Sequence, residues 1–123
     1  MDQKVKINWL PEPASDTYDS AQTFLELMFK PKKARRWVKR LKKAGVSEYA
    51  AKDILRASAI PIATVRAYDW KRQQDQINKG DPLSPILLIR QNDGGPLIIA
   101  DGFHRMCALF SIDQEVSVPC KIG

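Results

Sequence analysis

The stretch Leu97-Ile98-Ile99-Ala100-Asp101-Gly102-Phe103-His104-Arg105-Met106-Cys107-Ala108-Leu109 decides the fold. Its first four residues are a continuous apolar run, the pattern of a strand buried on both faces. Asp101-Gly102 breaks that run. Met106, Cys107 and Phe110 then recur at helical spacing, which predicts a helix from the turn to about Phe110. A strand that ends in a helix N-terminus presents unpaired N–H groups and the positive end of the helix dipole, and both favour an anion.

The residues at that turn suit a phosphate. Gly102 permits a tight turn and close approach of a ligand to the backbone. Arg105 can give a phosphate two parallel hydrogen bonds. His104, the only histidine in the chain, can donate to a phosphate oxygen or move a proton near pH 7. Asp101 can share a Mg²⁺ ion with the phosphate, or act as the base for an incoming hydroxyl. A purely structural reading stands beside this one. In it Asp101 is an N-cap for the His104 N–H, Gly102 is a turn residue and Arg105 is a surface charge.

Working outward, Ile86-Leu87-Leu88-Ile89 is a second buried strand pattern. The turn signal Asn92-Asp93-Gly94-Gly95 predicts that it pairs with 97–100 as a hairpin. Val116 to Ile122 reads as a closing strand, with Pro119 placing it at an edge or a bulge. Upstream, Asp69 to Lys79 is weakly helical with Asp69 as its cap, and Gly80 to Pro85 is a turn cluster. Ile60 to Val65 reads as a strand with Pro61 at its start or edge. Ser47 to Ala57 reads as a helix capped by Ser47, with Ala50, Ala51 and Ile54 inward. Val5, Ile7 and Trp9 alternate as a short strand, ended by Pro11-Glu12-Pro13. Asp16 or Thr17 caps a helix whose stripe is Ala21, Phe24, Leu25 and Met28. Pro31 opens the next helix, which runs to about Ala44 with Gly45 as C-cap. Ala34, Trp37, Val38 and Leu41 form its apolar stripe. The expected fold is one α+β domain of 123 residues: a small mixed sheet of four or five strands backed by helices. Residues 1–45 form a helical extension packed on the same domain, and residues 46–123 form its main body.

From about Ile54 to Ile122 the chain resembles the ParB/sulfiredoxin superfamily. Ser84-Pro85-Ile86-Leu87-Leu88-Ile89 resembles that family's strand after a proline. Leu97 to Leu109 resembles its strand–turn–helix signature, and Val118-Pro119-Cys120-Lys121-Ile122 resembles its closing strand. The resemblance implies a turn of the form G-x-x-R that cradles nucleotide phosphates, with Gly102, Phe103, His104 and Arg105 in the cradle. It implies ATP, ADP or CTP with Mg²⁺ as the ligand. Lys71 or Arg72, in the helix before the proline-strand unit, matches a helix that adds phosphate contacts in sulfiredoxins, although the spacing differs. Asp101-Gly102-Phe103-His104-Arg105 is also similar to the turn of ADP-dependent free-serine kinases, which implies Asp101 as base and a small hydroxyl-bearing substrate. Phe103 stands where sulfiredoxins carry their catalytic cysteine, so sulfinic-acid reduction is not expected. Phe103 also replaces an acidic residue of ParB proteins, and a counterpart of their DNA-binding helix-turn-helix domain is not expected. Residues 1–45 resemble no family.

The net charge of +6 is local. Lys32, Lys33, Arg35, Arg36, Lys39, Arg40, Lys42 and Lys43 fall in twelve residues without an acid, while the other 111 residues carry 12 basic and 14 acidic side chains. This helix can contact the phosphates of DNA or RNA in a salt-dependent way, or it can be a solvated helix face. Trp37 is expected inward, which removes it as a base-stacking platform. A non-enzymatic nucleic-acid-binding module is therefore the alternative to a nucleotide-binding domain that hydrolyses or transfers a phosphoryl group. No apolar run is long enough to span a membrane, and the N-terminus lacks the apolar core of a signal peptide, so the cytoplasm is the expected location. Cys107 and Cys120 lack metal-ligand spacing and are expected as small buried residues. The composition does not set the oligomeric state, and a homodimer is compatible with it.

Overall fold

The computed structural model describes residues 6–67 and 70–123. Two short strands, β2 (Ile86–Ile89) and β3 (Ile98–Asp101), pair antiparallel in the predicted hairpin. A register shift between Leu87 and Leu88 sets Asp101 opposite Leu87. The closing strand β4 (Ser117–Ile122) runs parallel to β2, and β1 (Ser47–Ala50) runs antiparallel to β4. The sheet order is β1-β4-β2-β3.

Helices cover both faces, which is why β2 is apolar at every position. Leu87 and Ile89, with Ile98 and Ala100 of β3, pack under α1 (Ser15–Leu25) and α2 (Pro31–Lys43). Those helices contribute Ala21, Leu25, Ala34, Trp37, Val38 and Leu41. Ile86, Leu88, Ile99, Val118 and Cys120 face the other layer. That layer is built from α3 (Ala51–Ala57), α4 (Ile62–Ala67), α5 (Lys71–Lys79) and α6 (Phe103–Ile112). The four residues of β2 are fully buried. Burying one such side chain is worth about 1.5–3 kcal/mol, so the two layers hold the hairpin from both sides. The α+β class is that predicted from the sequence. No helix among the described residues is long and apolar enough to cross a membrane.

Several local expectations are corrected. Ser47–Ala50 is a strand, and the helix begins only at Ala51. Ser-Glu-Tyr-Ala carries no strand signature of its own; it is extended because β4 supplies partners from Ser117 to Cys120. Ile60–Val65 is not a strand. The Thr64 and Val65 N–H groups donate to the Pro61 carbonyl at 3.0 and 3.3 Å, starting α4, and Val65 is buried in the core. Pro119 lies in an interior strand with unbroken register to β1, so the edge-or-bulge expectation fails. Proline removes one N–H but keeps its carbonyl, and here the outer strand is β1.

The helix ends also differ. The N-cap of α1 is Ala14, whose N–H donates to Ser84 Oγ at 3.0 Å, while Asp16 and Thr17 lie inside the first turn. Phe24 and Met28 are exposed rather than inward. The C-cap of α2 is Ala44 in an extended conformation, so Gly45 is not a left-handed cap. Near that end, the buried Lys121 Nζ donates to the Lys42 carbonyl at 3.3 Å and meets the Glu12 carboxylate at 3.1 Å. Burial alone would lower the Lys121 pKa, but hydrogen bonds with Glu12 and Tyr18 outweigh it and the pKa is raised. The expected first strand appears as one parallel bridge between Trp9 and Leu83; Val5 and the cap residue Asp69 lie outside the described residues.

Candidate phosphate site

The turn between β3 and α6 is built around Gly102. Its φ is +103°, in the left-handed region, and it is the N-cap of α6. A Cβ there would stand 2.5 Å from Ile86 Cδ1 and 2.8 Å from Arg105 Nη2. Only glycine fits both the conformation and the space.

Arg105 is held across the first turn of α6. Its Nη2 donates to Asp101 Oδ2 at 2.8 Å, and the two side chains are 18% and 13% exposed. Asp101 makes no side-chain cap to α6, because its carboxylate is engaged by Arg105. The Arg105 Nε is buried without a partner among the described residues. The guanidinium thus lies against the turn backbone with one donor committed and one unsatisfied.

The neighbouring candidates divide. The Phe103 side chain packs on the core and meets the His104 ring edge-on at 5.6 Å, so only its backbone faces the turn chemistry. The His104 side chain is exposed. Lys71 and Arg72 are exposed at the start of α5, which packs beside α6. No three His, Cys, Asp or Glu side chains gather into a metal-binding set among the described residues. A Mg²⁺ ion at Asp101 would have to displace Arg105 and take its other ligands from phosphate and water, so the protein's own donors do not fit a resident ion.

Cavities of about 470, 500 and 530 Å³ open beside α3, α4 and α6, and none of these three is lined by Gly102, His104 or Arg105. Both cysteines are free and buried, and burial pushes each thiol up to about 11.

The second candidate is α2. Ala34, Trp37, Val38 and Leu41 are buried, and all eight cationic side chains are exposed. None of the eight has a carboxylate within ion-pair distance among the described residues. Three lie over aromatic rings instead: Lys33 over Phe29 at 4.7 Å, Arg40 over Trp37 at 4.9 Å and Lys42 over Tyr18 at 5.6 Å. Sequence reasoning missed what faces this helix, the turn Gln91–Asp93 between β2 and β3. It read those residues only as a hairpin connection.

No family model, no curated protein and no solved structure matches the chain.

Proposed function

We propose that this domain binds a phosphate-bearing ligand, a nucleotide, at the turn Asp101–Arg105. The observation that carries the reading is the glycine-opened N-terminus of α6 with a guanidinium packed against it, so close that a Cβ at position 102 would force Ile86 and Arg105 to move. Helix N–H groups, the helix dipole and a planar cation converge on one point, and each favours a phosphate oxygen. The resemblance of this strand–turn–helix to ParB/sulfiredoxin turns supports the same ligand class. In this reading the backbone at Gly102 and Phe103 lines the phosphate, Arg105 turns its unsatisfied Nε toward it, and exposed His104 donates from solvent. Asp101 orients Arg105. The ion pair occupies the carboxylate that hydrolysis or a serine-like kinase reaction would need as base, so binding is the activity favoured here. The free, buried thiols suit a reducing compartment, and the proposed location is the cytoplasm.

Isothermal titration with ATP, ADP and CTP, with and without Mg²⁺, tests this. Arg105→Ala is expected to weaken binding by about 10- to 100-fold, the loss of a charge-assisted hydrogen bond. Equal affinity in the variant would refute the site.

A second reading is favoured by a separate observation. The eight exposed cations of α2, unpaired with any acid among the described residues, support binding to a nucleic-acid backbone.

A further inference from the structure

We propose that the cleft between α2 and the turn joining β2 to β3 is a seat for one backbone phosphate of a nucleic-acid strand. The inference rests on the second reading above and gives it an address. Two small adjoining clefts open there. One, of about 70 Å³, is lined by Lys33, Arg36, Trp37, Arg40 and Asn92. The other, of about 160 Å³, shares Lys33, Trp37 and Asn92 and reaches Phe29. Water occupies roughly 30 Å³ per molecule, and pockets for whole small molecules start at about 300 Å³. The smaller cleft therefore has room for a phosphate group but does not enclose a whole nucleotide.

The lining matches that group. Three cations and a side-chain amide surround the smaller cleft. Lys33 and Arg40 are already placed by their contacts with Phe29 and Trp37, so little ordering remains on binding. Trp37 is only 5% exposed, and its indole N–H is buried with no acceptor among the described residues. A buried N–H without a partner is costly; a small shift of the ring toward the cleft would let a phosphate oxygen there become its acceptor. Asp93 lines the larger cleft, where its carboxylate accepts the Gly95 N–H at 3.0 Å. That negative charge places the phosphate in the smaller cleft. A polymer fits the rest of the helix. Thirteen residues span about 20 Å, and a nucleic-acid strand carries one charge per roughly 3.4 Å. The cations outside the cleft then meet the neighbouring phosphates.

The test compares two double variants that remove equal charge. Lys33→Gln with Arg36→Gln empties the seat, whereas Lys39→Gln with Lys43→Gln removes two cations outside it. Fluorescence anisotropy with labelled 20-nucleotide single-stranded and duplex DNA reads affinity at several salt concentrations. The seat pair is expected to lose about tenfold more affinity than the outer pair. Trp37→Phe, which keeps the packing and deletes the N–H, is expected to lose about tenfold. Either equal losses from the two pairs or an unchanged Trp37→Phe overturns the seat and leaves the basic-helix reading standing. Failure of the parent protein to bind either DNA overturns both, including the case in which it binds phosphatidylglycerol vesicles instead. If Trp37→Phe does not fold by circular dichroism, Asn92→Ala on the exposed turn replaces it, with a loss of about threefold expected and no change overturning the seat.

Discussion

Replacing Asp101 with asparagine removes the charge that holds Arg105 but leaves an amide oxygen able to accept the same hydrogen bond. At the observed 2.8 Å, two unit charges attract by about 6 kcal/mol at an effective dielectric of ~20. Desolvation takes back much of that, since both side chains are more than four-fifths covered. Removing one partner of such a pair leaves a poorly solvated cation, which typically costs 3–5 kcal/mol. The retained hydrogen bond softens this to about 2–4 kcal/mol. For a chain of this length that lowers Tm by roughly 8–16 °C. Ligand affinity moves the other way. On the proposed function, a guanidinium no longer neutralised by a carboxylate attracts a phosphate more strongly, and nucleotide binding without Mg²⁺ is expected to tighten by about 10- to 100-fold. Thermal circular dichroism and isothermal titration on Asp101→Asn read the two effects separately. A lower Tm with unchanged nucleotide affinity would refute the role of Arg105 in the site. An unchanged Tm would refute the ion pair as a stabilising contact.

Gly102→Ala combines a left-handed penalty with a Cβ inside van der Waals contact of Ile86 and Arg105; the expected loss is about 3–5 kcal/mol by urea unfolding, and a loss below about 1 kcal/mol contradicts the described turn. Cys107 and Cys120 should resist a thiol reagent at pH 8 in the native state and react only on unfolding, since burial keeps both protonated; fast labelling of the folded protein would count against this. The sign of their pH dependence follows from a raised folded pKa: the stability they contribute is complete below the unfolded value of 9.0 and is lost as pH rises through about 11. Adding NaCl from about 20 to 500 mM should raise Tm by a few degrees, because screening relieves repulsion along α2; a flat or falling Tm would argue that the eight cations are otherwise compensated.

The legible parts of the sequence were those whose signal is local. The runs Ile86–Ile89 and Leu97–Ala100 are apolar at every position because helices cover both faces of the sheet. The stripe of α2 recurs at helical spacing because one side is buried and the other is not. Residues 47–50 gave no such signal: three of the four are exposed, and their extended form comes from β4, about 70 residues away. Ile60–Val65 misled because its branched apolar residues favour strands, while only Val65 needs burial, and one buried position is satisfied by a short helix. At the site, the glycine and the arginine were readable, whereas the latch between Asp101 and Arg105 was not. An i,i+4 spacing implies contact only within a helix, and Asp101 still belongs to the strand. The approach of Asn92 to Trp37 depends on the hairpin folding under α2, which no local pattern encodes.

The two cationic features differ in what the fold requires of them. Arg105 is paired with Asp101 and mostly covered, so its charge has a partner in the turn whether or not a ligand arrives. Of the cations of α2, Lys33, Arg40 and Lys42 lie over aromatic rings, and none of the eight meets a carboxylate among the described residues. The buried stripe of Ala34, Trp37, Val38 and Leu41 is enough to dock the helix on β2 and β3. The exposed face meanwhile carries like charges at i,i+4 in the pairs Lys32–Arg36, Arg35–Lys39, Arg36–Arg40 and Lys39–Lys43. Each such pair costs about 0.2–0.5 kcal/mol, against a total stability of about 5–15 kcal/mol for an ordinary domain. A single glutamate in place of Lys39 would turn two of these repulsions into attractions without touching the core. The proposed phosphate seat would relieve this repulsion and give the buried indole N–H of Trp37 an acceptor, which is what the salt and Trp37→Phe measurements read.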